Sequence, residues 1–165
     1  MSLSQARTLG RAGSILVFIP VLNIIGYILL LISIGGVARS VQDRSIFSNA
    51  VIAIVLQVVG VLVGFFMIFG GVAASVMTAG LSAVVGVLSG LAVIWVCFVI
   101  AAFFLRRSYR SMASRLGVPD FGTAGMLFLV GSALLILLGL GLFVIFVAYI
   151  FQAMAFFSIR GEPGT

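Results

Sequence analysis

One charge-free stretch constrains this chain more than any other feature. No residue between Arg44 and Arg106 carries a charge. Because a spanning helix needs about 20 apolar residues, at about 1.5 Å of rise each, the stretch is too long for one helix and has the length of two. The predicted helices are Ile46–Phe69 and Leu81–Leu105, and the glycine-rich segment Gly70–Gly80 is the predicted turn between them.

The composition indicates that lipid is the solvent of this chain. Of its 165 residues, 64% are hydrophobic and 7% are charged, whereas about a quarter of a soluble domain is charged. Too few polar side chains remain to cover a surface in water. The net charge of +6 is typical of nucleic-acid binding, but the nine arginines are separated by long apolar runs and form no surface for phosphate contacts. We therefore expect no nucleic-acid partner.

The last apolar run, Phe121–Ile159, is also free of charge. As one straight helix it would be about 60 Å long, roughly twice the thickness of the hydrocarbon core, so we expect it to break. The predicted break is Leu138–Gly141, where two glycines weaken the helix. The two resulting helices, Phe121–Leu137 and Leu142–Ile159, are each just long enough to span.

The first apolar run, Gly13–Ala38, permits either one crossing or two. The sequence LGRAG at positions 9–13 is similar to FGTAG at positions 121–125, and internal repeats are frequent in multi-pass proteins. If the two segments are alike, the first is also a hairpin. Its turn would contain residues that interrupt helices or favour turns, namely Pro20, Asn23 and Gly26.

The positions of the arginines favour two crossings for that run. With six crossings, all nine arginines and all three acids share one face, as the positive-inside rule predicts for the cytoplasmic side. We therefore predict an all-α, polytopic transmembrane helical bundle of six helices in three hairpins. It would be a single integral membrane domain, residues 1–165, in the cell membrane with both termini cytoplasmic. Four helices, with kinked long first and last segments, are the alternative.

Small residues recur at four-residue spacing in the middle of the chain. Such residues let helix backbones approach closely in lipid, where no hydrophobic effect drives the helices together. We expect the two series to face each other, or one of them to face a partner chain. The predicted helix-packing residues are Gly60 and Gly64 in the first series, and Ser82, Gly86 and Gly90 in the second.

Two polar segments are the predicted contacts for lipid headgroups or for a partner. The segment Arg106–Asp120 is typical of a helix that leaves the membrane and ends at Gly117, with Pro119 blocking its continuation. The other segment is Arg39–Phe47. Its Asp43 suits the start of a helix and could pair with Arg39 or Arg44, or with the Arg106–Arg110 group. The contact residues predicted in the two segments are Arg106, Arg107, Arg110, Arg115, Arg39, Asp43 and Arg44.

No ionisable residue lies inside a predicted membrane helix, although proton relays and ion-coupled transporters usually place one there. The polar side chains available inside are Asn49, Gln57, Gln152, Tyr27 and Tyr149, with scattered Ser and Thr. The amides Asn49 and Gln57 are eight residues apart, so we expect them on about the same helix face. The simpler interpretation is that these amides hydrogen-bond to neighbouring helices and help them pack. The more specific one is that they line a small polar pathway. The chain has no histidine and one cysteine, Cys97, so we expect no metal, no cofactor and no catalytic set.

Four motifs resemble those of an archaeal multi-pass membrane family known as domain of unknown function 996. They are LGRAGSIL at the start, DRSIF at 43–47, FGTAG at 121–125 and AFFSI at 155–159. The resemblance covers nearly the whole chain, in the same order and spacing. It implies a cytoplasmic-membrane protein of archaeal type and no particular mechanism, so no functional residue is carried over.

Three functions are compatible with these features. The preferred hypothesis is a non-enzymatic structural or accessory subunit of a larger membrane complex, because small packing residues are abundant and no ionisable group lies inside. The second is a small oligomeric channel or transporter for a neutral solute, which requires the intramembrane amides to line one face. The third is a lipid-binding or membrane-organising protein that uses the arginines. Expected partners are membrane lipids and other membrane subunits or further copies of this chain.

Overall fold

The computed structural model describes residues 3–16, 23–78, 80–137 and 140–159. Within those ranges the regular structure is helical throughout, so the all-α prediction is confirmed. There are six α-helices and a short 3-10 turn at Ser75–Met77: α1 Leu3–Leu16, α2 Asn23–Ser40, α3 Arg44–Ala74, α4 Leu81–Leu116, α5 Pro119–Leu134 and α6 Leu140–Ser158.

The six helices form three hairpins, as predicted, and the hairpins close into a ring. Each helix packs along its hairpin partner, and the remaining contacts join α2 to α3, α4 to α5, and α6 back to α1. The first apolar run is therefore two packed helices and not one kinked helix. The ring order places α3 and α6 across from each other.

The turn of the first hairpin ends before Gly26, which the sequence had placed in that turn. Gly26 lies inside α2 and not in the turn, Asn23 begins that helix, and Pro20 lies outside the described residues. Gly26 is helical because it forms part of the contact with α1. A Cβ added at Gly13 would lie 3.0 Å from the carbonyl oxygen of Gly26 and 2.9 Å from the nitrogen of Leu30.

The central hairpin is longer than the sequence predicted. The prediction of a turn from Gly70 is wrong, because α3 continues through Gly70 and Gly71 to Ala74. Gly71 supports this extension by packing against the next helix, where a Cβ on it would lie 2.7 Å from the Cα of Gly86. The turn is confined to residues 75–80 and ends at Gly80, whose φ of +86° favours glycine.

The polar segment after the central hairpin follows its prediction. Helix α4 runs without a break through the arginines and ends at Gly117, which has a φ of +65°. Helix α5 begins at Pro119. Proline is well suited to this position, because the backbone N–H group that it lacks would have no hydrogen-bond partner in the first turn of a helix. This start is two residues before the predicted Phe121.

The third hairpin also differs at its turn. Helix α5 ends at Leu134, before the predicted Leu137, and α6 begins at Leu140. Gly141, predicted in the break, belongs to α6, where a Cβ on it would lie 2.6 Å from the carbonyl oxygen of Gly131. The glycine packs the two helices together at their tip, while the middle of the predicted break, residues 138–139, lies outside the described residues.

All eight arginines within the described residues lie at one end of the bundle, here called the arginine end. Arg7 donates to the carbonyl oxygen of Ile159 at 3.3 Å, and Arg11 donates to that of Phe157 at 2.8 Å, so the start of α1 caps the end of α6. Arg115 lies 3.7 Å from the carboxylate of Asp43. The most deeply buried large side chains also belong to this end, among them Ile46, Met112, Phe121 and Phe156.

Candidate functional site

The helix ring contains a cavity of about 380 Å³ that is partly open to the outside. Residues of α2, α3, α4, α5 and α6 line it, and most of them are aliphatic or aromatic. No charged side chain is among the lining residues. The cavity contains a small set of polar groups, which belong to Tyr27, Gln57, Tyr109, Ser132, Tyr149 and Gln152.

Gln152 is the most deeply buried amide at this cavity. Its side chain is 1% exposed, and its Nε2 has no hydrogen-bond partner among the described residues. Leaving such a donor unpaired in an apolar environment costs about 1–3 kcal/mol. Ala148 and Ala155, about one turn away on the same helix, are also fully buried. Gln152 therefore brings to the cavity an N–H group that no described residue satisfies.

Three other polar groups of the cavity, those of Tyr27, Tyr149 and Ser132, have partners within the fold. The hydroxyls of Tyr27 and Tyr149 hydrogen-bond to each other and join α2 to α6. Ser132 donates its hydroxyl to the carbonyl oxygen of Phe128, 2.7 Å away on its own helix. These three groups are engaged, whereas the buried Gln152 donor has no partner among the described residues, so a ligand gains from a new hydrogen bond there.

Aromatic rings give the cavity a rigid wall. Tyr109 packs edge-on against Phe121 and Phe128, with ring centroids 5.9 and 6.1 Å apart. Phe128 in turn meets Tyr149 at 4.8 Å. These edge-to-face contacts join three helices and favour one arrangement of the rings. No local pattern indicates this role for Tyr109, because it lies between arginines in a segment that the sequence places at the membrane surface.

The two amides of α3 separate, contrary to the expectation that they share a face. Gln57 lines the cavity, whereas Asn49 lies in a surface depression of about 430 Å³ with Arg107, Arg110 and two serines. The reason is geometric, because eight residues turn a helix about 80° beyond two full turns. Of the three amides proposed for a polar pathway, Gln57 and Gln152 meet at one cavity.

The depth of Gln152 follows from two contacts and the spacing along two helices. The rings of Phe121 and Phe156 stack edge-on, 5.0 Å apart, and so mark one level of the α5–α6 hairpin. Gly125 and Gln152 each lie four residues further from the arginine end, which is about one helical turn. A Cβ on Gly125 would lie 3.1 Å from the Cα of Arg106. Gln152 is therefore level with Arg106, the innermost arginine of α4.

The structure divides the predicted contact arginines among several places. Arg107 and Arg110 border the depression that contains Asn49. Arg39 and Arg44 border another, of about 650 Å³, beside Phe47. Arg106 faces α5, and Arg115 pairs with Asp43, so the seven predicted residues do not form one surface.

Asp43 caps the start of α3. Its carboxylate accepts hydrogen bonds from the backbone nitrogen of Ser45 at 3.1 Å and from its hydroxyl at 2.6 Å. The bonds from Ser45, together with the charge of Arg115, lower the pKa of Asp43. The ion pair joins the α2–α3 connection to the end of α4, where the sequence had suggested Arg39, Arg44 or the Arg106–Arg110 group as the partner.

The small-residue series lie on the facing sides of α3 and α4. A Cβ on Gly64 would lie 2.7 Å from the carbonyl oxygen of Gly90. Ser82 donates its hydroxyl to the carbonyl oxygen of Gly71 at 3.0 Å, and Gly86 packs on the same glycine. Gly60 lies against Cys97, so this cysteine belongs to the helix interface. Gly71 was absent from the prediction because it had been assigned to the turn.

The described helices define the class of the protein, an all-helical protein with apolar helices of the kind found in membrane proteins. Three of them, Arg44–Met77 with its 3-10 turn, Leu81–Leu116 and Leu140–Ser158, are long and apolar enough to cross a bilayer. The chain belongs to the family "Protein of unknown function (DUF996)", whose family model matches residues 22–150. The resemblance drawn from its motifs is therefore confirmed.

A curated relative extends the match to both ends of the chain. It is the "Uncharacterized protein MJ1644" of the archaeon Methanocaldococcus jannaschii, and the two are 29% identical over 170 aligned positions. The alignment covers 98% of this chain and 96% of the relative. No solved structure matches the chain.

Proposed function

We propose that this protein binds a small, neutral, mostly apolar molecule inside the membrane and so acts as a non-enzymatic binding protein or carrier. The observation that carries the proposal is the 380 Å³ cavity, which five helices line without a charged side chain. Pockets for small molecules are typically apolar, with a few placed polar groups, and have volumes of about 300–1,000 Å³. This function belongs to the neutral-solute class suggested by the intramembrane amides.

The position of the bilayer bears on where such a molecule would come from. The hairpin segment formed by residues 60–94, here called the outer hairpin, exposes a dense set of apolar side chains on α3 and α4, including Phe65, Phe66, Val85 and Leu88. Exposed apolar surface of this extent needs lipid around it. From Arg106 to Leu81, α4 is about 38 Å long, enough to cross a hydrocarbon core of about 30 Å.

The α5–α6 hairpin extends much less far from the same arginine. Trp95 donates to the carbonyl oxygen of Ala133 near the tip of α5 at 3.3 Å. Trp95 is 11 residues from Arg106, a distance of about 16 Å along α4. We therefore propose that only α3 and α4 cross completely, while the α5–α6 hairpin turns back inside the bilayer.

The α1–α2 hairpin fits the same arrangement. From Arg39 to Asn23, α2 is about 24 Å long, which is shorter than the hydrocarbon core. With the arginine end on the cytoplasmic side, as the positive-inside rule favours, both described ends of the chain lie on that side. The cavity then lies in the inner leaflet, where a molecule dissolved in lipid has access to it.

Photolabelling in lipid nanodiscs tests the proposed binding. The probe is 3-trifluoromethyl-3-phenyldiazirine, a neutral compound whose labelled positions are found by mass spectrometry. We expect saturable labelling of Tyr109 and Tyr149 at the cavity, and labelling of Phe66 that rises in proportion to probe. Saturation separates binding at a site from partition into lipid.

Cavity filling gives the matched control for that experiment. Ala53 is buried and lines the cavity, whereas Ala73 lies exposed on the same helix. Ala53→Trp should abolish the saturable labelling, and Ala73→Trp should leave it unchanged. Labelling that never saturates in the unaltered protein, or that survives Ala53→Trp in a folded sample, would contradict the proposed function.

The accessory-subunit hypothesis stays a prediction. Its support is the exposed apolar surface of the outer hairpin, which a neighbouring subunit could cover as well as lipid does. Purification of a tagged chain in mild detergent tests it. A stoichiometric partner protein would favour the subunit role, and a chain free of partners would favour the binding role proposed above.

A further inference from the structure

The unpaired donor of Gln152 has a chemical consequence for the ligand. We infer, on the basis of the proposed function, that the cavity takes a neutral amphiphile whose head carries a hydrogen-bond acceptor oxygen, such as a carbonyl or an ether. The Gln152 Nε2 donates to that oxygen. The apolar body of the molecule extends from there toward the middle of the bilayer.

The requirement for an acceptor follows from the chemistry of the amide. A glutamine Nε2 donates and does not accept, and here it is buried without a partner. Tyr27 and Tyr149 hydrogen-bond to each other, and Ser132 bonds to its own helix. A ligand oxygen that accepts from Gln152 therefore removes a cost already present in the empty cavity, which a hydrocarbon of the same shape leaves in place.

The amphiphilic character follows from the depth of each part of the cavity. Gln152 is level with Arg106, because both lie at Gly125, so the polar head is placed near the membrane surface. On α6, Ile145 lies two helical turns further from the arginine end and also lines the cavity. The apolar end of the ligand is thus directed into the inner leaflet.

The absence of charge restricts the head to neutral groups. No charged side chain of the described residues lines the cavity, and an unpaired ion there would lose its hydration without a counter-ion. Fatty acids, amines and phosphates in their ionised forms are therefore poor ligands. A ketone, an ether or an ester oxygen meets the requirement of the Gln152 donor.

A pair of matched competitors tests the inference. In nanodiscs, 2-undecanone and n-undecane compete with the diazirine probe at Tyr109, and the two compounds differ chiefly by one carbonyl oxygen. We expect the ketone to halve the labelling at about one-tenth of the membrane concentration that the alkane needs, since one buried hydrogen bond contributes about this factor. In Gln152→Leu the two compounds should become equal.

Each other outcome has a definite meaning. If neither compound competes, the proposed function fails, and this inference with it. If both compete equally in the unaltered protein, the cavity binds apolar molecules and only the inference about the acceptor oxygen fails. A ketone preference that persists in Gln152→Leu would assign the recognition to another group and overturn the role of Gln152. Asn49→Leu, which alters an amide outside the cavity, should keep the preference.

Discussion

The helices of the arginine end and those of the outer hairpin pack through different kinds of contact. At the arginine end, large side chains from several helices fill a common core, and Phe121 and Phe156 are 0% exposed. In the outer hairpin only two helices meet, through glycines, and Phe66 is 74% exposed. The same residue type is thus a core residue in one region and a lipid-facing residue in the other.

The difference between the two regions shows which forces hold helices together in lipid. Lipid tails are as apolar as leucine, so burying a phenylalanine between helices gains little from hydrophobicity and more from close packing. In the outer hairpin, backbone contacts such as Gly71 against Gly86 supply that packing. At the arginine end, near the membrane surface, ring contacts and buried aliphatic side chains supply it.

The largest expected effect concerns the depth of the two hairpin turns in the bilayer, because a cysteine placed at each turn is either labelled or not labelled. In a Cys97→Ser background, Met77→Cys at the outer turn should react with a membrane-impermeant maleimide from the side opposite Arg110. Leu137→Cys, at the tip of the α5–α6 hairpin, should react from neither side, because the proposed arrangement places that tip inside the bilayer. Reaction of Leu137→Cys from the same side as Met77→Cys would show that the third hairpin crosses completely.

Truncating a phenylalanine ring should lower the free energy of unfolding much more at the arginine end than in the outer hairpin. Phe121→Ala leaves a hole in the arginine-end core and should lower the free energy of unfolding by about 3–5 kcal/mol. Phe66→Ala removes a ring that faces lipid and should change it by less than about 1 kcal/mol. Unfolding in mixed micelles by increasing SDS measures both. Equal losses would mean that Phe66 is covered by another protein surface.

Glycine substitution should affect the outer hairpin in a position-specific way. A Cβ at Gly71 would lie 2.5 Å from the carbonyl oxygen of Ser82, whereas one at Gly70 meets nothing within 4 Å. Gly71→Ala should therefore cost about 1–3 kcal/mol by forcing the helices apart. Its neighbour Gly70→Ala should be neutral or slightly stabilising. The same unfolding assay applies, and a neutral Gly71→Ala would contradict the close packing of α3 and α4.

Removing the unpaired amide should stabilise the empty protein. Gln152→Leu keeps roughly the volume of the side chain and eliminates a buried donor, so the free energy of unfolding should rise by about 1 kcal/mol. A ligand with an acceptor oxygen should then stabilise the unaltered protein more than the variant. Destabilisation by Gln152→Leu in ligand-free protein would indicate that the amide has a structural partner.

The smallest effect concerns pH at the arginine end. Folding lowers the pKa of Asp43, through the hydrogen bonds from Ser45 and then the charge of Arg115. Its contribution to stability is therefore complete above the unfolded value of 3.8 and is lost as the pH falls through the lower folded value. The loss should be small because the carboxylate is near solvent. Asp43→Asn should remove this acid-dependent step, while Asp120→Asn should keep it.

The sequence predicted the hairpins and the end of α4, and the positions of the arginines favoured six helices over four. Helix number follows from apolar length, and the stop at Gly117 follows from a glycine with positive φ and the nearby Pro119. These signals are local, so no tertiary contact is needed to recognise them. The turn at Gly70 was misjudged for the converse reason, because a contact with Gly86 on another helix keeps Gly71 helical.

The cavity was decided by tertiary structure alone. The sequence singled out Gln57 and Gln152 as intramembrane amides, but residues 95 positions apart meet only because α3 and α6 face each other across the ring. Tyr109 gave no local signal, since its role depends on rings from α5 and α6. Hydropathy and charge act residue by residue and fix which segments enter lipid, whereas a binding cavity depends on which helix faces meet, and that is a property of packing.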